Sequence, residues 1–196
     1  GYMTASMTSF FATVNNAAVF FLPLLTMRLF SEDRKLKTDQ LLLTSPVSTG
    51  EMVVGKYLAS LGVLVVGTAI TLVYPIIIAF SGNLPVAETI GCYVGFILLC
   101  GVILSIGAFM SSLTESQIVA AIATYGALIF TIMLGSVASF VPNEVISQIL
   151  LWLSPMQRFA DFTLGILNFE SIIYYISLIG LFLFFTTMVF EKRRLK

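Results

Sequence analysis

MVVGKYLASLGVLVVGTAITLVYPIIIAF, residues 52–80, carries one charged side chain, Lys56, near its start. A helix needs about 20 largely apolar residues to cross the hydrocarbon core of a bilayer, and this run exceeds that length. Working outward, the same pattern recurs over residues 8–29, 89–112, 117–140 and 171–190. None of these runs shows the two-residue alternation of a barrel strand, and in lipid a helix is the form that satisfies its own backbone. The expected fold is an all-α integral membrane protein, a polytopic helical bundle whose 196 residues make one transmembrane domain. Composition agrees, with 58% apolar residues, 10% charged residues and a mean hydropathy of +1.02.

Ten Lys plus Arg balance ten Asp plus Glu, and histidine is absent. That removes a basic nucleic-acid footprint, so no nucleic-acid partner is expected, and it removes every histidine-based catalytic or metal site. Cys92 and Cys100 stand eight residues apart in one apolar run, about 12 Å of helical rise, too far for a disulfide.

Lys and Arg placement sets the orientation, because cytoplasmic loops retain positive charge. Arg28, Arg34, Lys35, Lys37 and Lys56 cluster around the first inter-span segment, and Lys192, Arg193, Arg194 and Lys196 follow the last span; only Arg158 falls elsewhere. Four spans separate the clusters, so both lie on one side, the cytoplasm, and the C-terminus is cytoplasmic. The same parity puts Gly1 outside, although residues 1–27 contain no Lys or Arg. A preceding span is therefore expected, making the five spans part of a six-span subunit.

The segment SEDRKLKTDQLLLTSPVSTGE, residues 31–51, holds seven of the chain's twenty charged residues. Ser31 is placed to cap a short helix with Glu32 and Asp33 in its first turn, where acidic groups favour the helix dipole. Pro46 disfavours helix at Ser45 and ends that element. Leu36, Leu41, Leu42 and Leu43 give it an apolar face, to lie along the interface or in a partner's groove. A solvated loop whose charges hold topology is the alternative. Ser48-Thr49-Gly50-Glu51 matches a capping box opening the next span. Gly50, Gly55 and Lys56 have the spacing of a phosphate-binding loop, but Tyr57 stands where a Ser or Thr would hold magnesium, and no strand precedes them. Nucleotide binding by this chain is not expected on those grounds.

The charged run, then residues 38–48 and Gly55-Lys56, resembles the permease subunit of ABC-2 family transporters, in which a TxxxLLxSPV segment followed by GK joins two spans. Lys37 stands where that family commonly has Gly, a departure expected to alter the local turn. A second block, LSPMQRFADFTLGIL at residues 153–167, with Glu191-Lys192-Arg193-Arg194, is similar to the branch that includes gliding-motility and copper-site-maturation permeases. Gln157 and Arg158 occupy the neighbourhood where that branch often has His.

The resemblance implies a permease that binds no cofactor and has no ATPase site, with ATP and Mg held by a separate ABC ATP-binding subunit. It further implies a second permease subunit, in a homo- or heterodimer, contact with membrane lipid, room for an extracytoplasmic accessory protein, and a bacterial plasma membrane as the location. Leu41, Leu42 and Leu43 become docking knobs and Glu32, Asp33, Arg34 and Lys35 a polar latch, with Pro46 and Glu51 completing the ATPase-coupling set.

No charged residue falls near the middle of a span, which argues against a proton- or sodium-coupled carrier, since such carriers keep central charges as relays. The candidate translocation path comprises Asn15, Asn16, Thr68, Thr71 and Tyr74, with interhelical hydrogen bonding as the plainer reading; adjacent Asn15 and Asn16 point about 100° apart, so at least one faces a helix or cavity. Pro75 should kink the long second span. Gly91-x-x-x-Gly95 has the spacing that admits close helix packing, expected within the subunit. Residues 142–168 should form short outer helices, re-entrant or interfacial, the first capped by Asn143 and bearing Trp152 at headgroup depth. In the family, helices there close the outer mouth, so Trp152, Arg158 and Asp161 are a candidate outer gate, and Arg158 could pair with Asp161. An ATP-driven exporter permease is the leading function; a membrane anchor that passes ATPase motion to an extracytoplasmic partner shares the docking segment, and an intramembrane enzyme lacks a constellation to carry it.

Overall fold

The computed structural model of the chain describes residues 7–38, 48–80 and 86–194. Among the described residues every regular element is a helix: α1 (Met7–Thr26), α2 (Ser31–Lys35), α3 (Thr49–Ile70), α4 (Val73–Phe80), α5 (Val86–Leu113), α6 (Gln117–Ala138), α7 (Glu144–Leu153), α8 (Pro155–Thr163) and α9 (Phe169–Arg194). Among the described residues, five stretches are long and apolar enough to cross a membrane: Ser9–Lys35, Thr49–Phe80, Val86–Leu113, Gln117–Ala138 and Phe169–Arg194. These are the five expected from sequence.

The bundle is organised around α5, which packs against α9, α1, α6 and α8. Its apolar residues run all round the helix, as a helix enclosed by others requires, and Phe96, Leu99, Val102, Ile103, Leu104 and Ile106 are buried. Apolar burial alone does not join helices in lipid, so close van der Waals approach must. Gly91 and Gly95 provide it. A Cβ on Gly95 would stand 2.7 Å from the Phe162 ring, and one on Gly91 would strike the Phe162 carbonyl and lie 3.2 Å from the Gly165 Cα. This spacing therefore seats α8, a short helix of the same chain.

Local chemistry marks the element ends. Ser48 and Glu51 form the expected capping box, with Ser48 N donating to Glu51 Oε2 (3.0 Å) and Glu51 N to Ser48 Oγ (3.2 Å). The second span breaks between Ile70 and Val73, because Pro75 has no N–H and its ring would collide with the Thr71 carbonyl four residues back. Asn143 caps α7, accepting from Val145 N at 3.0 Å. α8 opens on Pro155 and closes at Gly165, φ +73°, with Ile166 N bonded to Asp161 O and Gly165 N to Phe162 O, a Schellman ending that needs the left-handed glycine.

Two expectations for the segment after the first span are corrected. Ser31 does not cap α2: it is the first helical residue, and its hydroxyl bonds back to the Met27 carbonyl. α2 also ends at Lys35 rather than running toward Pro46, since Leu36 is its C-cap and Lys37 is left-handed at φ +58°. Lys37 thus adopts the conformation that glycine favours, at a cost of roughly 1–2 kcal/mol for a side-chain-bearing residue, so the departure from Gly leaves a glycine-type turn in place. Leu41, Leu42, Leu43 and Pro46 lie outside the described residues.

Candidate functional site: a charged elbow and an aromatic cluster at opposite ends of the bundle

The turn from α1 into α2 is built on a hydroxyl from another helix. Ser111, near the end of α5 and fully buried, accepts from Phe30 N (3.1 Å) and Ser31 N (3.0 Å) and donates to Met27 O (3.1 Å). Arg34 Nη1 donates to Ser112 O (3.2 Å) while its Nη2 pairs with Glu115 Oε1 (3.2 Å). Arg193 Nη2 reaches the same Ser112 carbonyl from α9 at 2.9 Å. That carbonyl is among the last four of α5 and has no partner within the helix. From α3, Lys56 Nζ donates to Leu29 O (2.8 Å), pairs with the Asp33 carboxylate and lies 5.0 Å from the Phe30 ring centroid. Phe30 in turn packs on Phe190, 5.1 Å between centroids.

Of the expected latch residues, Asp33 and Arg34 are engaged with neighbouring helices, Glu32 is half-buried and Lys35 exposed. Lys35 borders a recess of about 360 Å³ shared with Glu115, Ser116, Gln117 and Ile118. The Glu51 carboxylate is occupied by its own helix start. Lys56, Ser111, Ser112, Glu115 and Arg193 complete the elbow without having been singled out for it. A Ser-Ser pair closing an apolar span was the available signal.

At the other end of α5, Trp152 and Arg158 come together. The Arg158 guanidinium lies between two rings, 4.6 Å from Trp152 and 4.5 Å from Tyr174. Its Nε donates to Trp152 O at 3.1 Å. Its carboxylate partner is Glu170 Oε1, at 3.2 Å, which also accepts from Trp152 Nε1 at 3.0 Å. The expected pair with Asp161 is therefore corrected, because the chain after α8 brings the first turn of α9 against Arg158; Asp161 nevertheless lines the same recess of about 470 Å³ as Trp152, Arg158 and Glu170.

The candidate path residues do not gather at one point. Asn15 is buried and its Nδ2 lies 3.6 Å from Met156 Sδ in α8, whereas Asn16 is exposed. Thr68 and Thr71 border an apolar recess of about 380 Å³ between α1 and α3. Thr68 Oγ1 bonds back to Leu64 O (2.8 Å), Thr71 Oγ1 meets Tyr93 OH (3.1 Å), and Tyr74 stacks on Phe10 at 4.2 Å.

Among the described residues, five stretches long and apolar enough to cross a membrane, a charged elbow where both Lys/Arg clusters meet, and short helices locked over the central helix define a multi-pass membrane protein. The family model described as "ABC-2 family transporter protein" matches residues 4–195. The chain belongs to the ABC-2 transporter family, whose permeases are typically the non-catalytic membrane subunit. No curated protein and no solved structure is matched by the chain.

Proposed function

We propose that the chain is the permease half of an ATP-driven exporter, moved by a separate ABC ATP-binding subunit that docks on residues 31–51 from the cytoplasm. The observation that carries this reading is the convergence of Arg34 and Arg193 on Ser112 O. It brings the positive cluster of the first inter-span segment and that of the C-terminus to one end of the bundle, which the positive-inside rule makes cytoplasmic. A docked subunit would bear on an element already tied to α3, α5 and α9. Leu41, Leu42 and Leu43 would be the apolar contacts, Glu32 and Lys35 the polar ones, with the recess beside Lys35 available to a partner side chain. ATP and Mg would sit on that partner, and a second permease would complete the assembly. Asn15, Thr68 and Thr71 remain candidates to line the path, and Trp152, Arg158 and Asp161 to close its outer mouth.

Replacing Leu42 with Asp puts a charge on the docking face and should abolish co-purification of the ATP-binding subunit while the permease still inserts. Undiminished co-purification would count against the reading, as would labelling of a cysteine placed at Thr38 by a reagent that cannot enter cells.

A further inference from the structure

We infer that Ser111 is the joint through which the elbow drives the outer helices, with α5 as the rigid connection. The inference rests on the proposed docking of the ATP-binding subunit at residues 31–51. A serine hydroxyl has one proton to donate and two lone pairs to accept with, and all three are in use here, on Met27 O, Phe30 N and Ser31 N. The two amides are at the start of α2, where a helix cannot satisfy its own donors. Local residues leave them without a cap, since α2 has no side-chain cap from its own N-terminal neighbour. Ser111 supplies the cap from 80 positions away in sequence, so α2 cannot shift without either moving α5 or giving up both bonds in a buried setting.

The far end of α5 is equally fixed. A helix of 28 residues extends about 42 Å at 1.5 Å per residue, and at its outer end Gly91 and Gly95 hold Phe162 of α8 in direct contact. Arg34 and Arg193 on Ser112 O brace the inner end, but through long side chains that can follow a displacement. The Ser111 bonds have no such slack, because they run from a short side chain to main chain. A displacement at α2 therefore arrives at α8 through Ser111, α5 and the Phe162 contact.

The test compares S111A, S111T, S111V and S31A in the assembled complex, with hydrogen exchange of residues 144–163 read with and without ATP. S111T and S111V have the same shape, and only S111T keeps the hydroxyl. S31A removes the neighbouring hydroxyl but leaves both amide bonds to Ser111. Wild type, S111T and S31A should show an ATP-dependent change in exchange, and S111A and S111V should lose it while retaining the bound ATP-binding subunit. An ATP response in S111A and S111V equal to wild type would overturn the joint and leave the docking reading intact. A wild-type complex that holds the subunit but shows no ATP response at residues 144–163 would overturn transmission along α5. Failure of the wild-type chain to retain the subunit would overturn the docking reading itself.

Discussion

α5 and α3 are both apolar spans, yet 72% of the apolar window of α5 is buried within the chain against 11% for the span containing α3. Their glycines differ in the same way. A Cβ on Gly91, Gly95, Gly101 or Gly107 of α5 would meet another side chain or backbone, whereas one on Gly50, Gly55, Gly62 or Gly67 of α3 would meet nothing within 4 Å. The lesson is that equal hydrophobicity does not mean equal packing: α5 is enclosed along its length, while α3 buries a single face, through Val53, Tyr57, Ser60, Leu64 and Thr68, and adds polar tethers at Lys56, at Tyr57, whose OH donates to Gly101 O (3.3 Å), and at Thr71 just past its end.

The contrast is tested most severely at Gly95. Valine there would have to displace the Phe162 ring, whose Cβ and Cγ already stand 2.7 Å from the position of a first side-chain carbon. Overpacking of this kind costs typically 1–3 kcal/mol and more where backbone must move. We expect G95V to lower stability by about 3 kcal/mol or more in detergent unfolding and to free α8 for proteolysis. Unchanged unfolding would mean that the outer helix is not seated on α5.

A smaller loss is expected at Lys56. Its ammonium fastens the inner end of α3 to Leu29 O and Asp33, and its side chain is 28% exposed, so solvent weakens the pair. Methionine keeps the apolar stem and removes the charge. K56M should cost about 1–2 kcal/mol, and the effect should be local: faster amide exchange at the start of α3 with α5 unchanged. Loosening of both helices together would show that they form a single cooperative unit and that the contrast drawn between them is false.

The same contrast explains what could be read in advance. Span positions were legible because lipid demands uninterrupted apolar runs, and the capping box at Ser48, the cap at Asn143 and the break before Pro75 were legible because each depends on neighbours within four residues. Which span sits at the centre was not legible, since the face of a helix toward lipid is as apolar as the face toward protein, and periodicity loses its meaning. Ser111 and Glu170 escaped for a related reason. Their partners, Phe30, Ser31 and Arg158, are brought to them by the packing of whole helices, and no spacing rule connects positions 111 and 30. The elbow was half legible: its charges announced it, but the left-handed Lys37 that stops α2 carries no sign of that conformation in its residue type.

The smallest effect should come at Gly62, and its sign is informative. Glycine inside a helix is about 0.8–1 kcal/mol worse than alanine, and nothing within 4 Å opposes a methyl group at this position. G62A should therefore stabilise the isolated chain by about 0.5–1 kcal/mol. In the assembled complex the outcome depends on whether the exposed face of α3 meets lipid or another helix. Lipid accommodates a methyl group freely, so the gain would persist. A helix packed against Gly62 as closely as Phe162 packs against Gly95 would be pushed away, and the gain would become a loss of assembly. Measuring G62A in both states, by unfolding of the single chain and by retention of the partner subunits, separates an α3 that is free by design from one that waits for a neighbour.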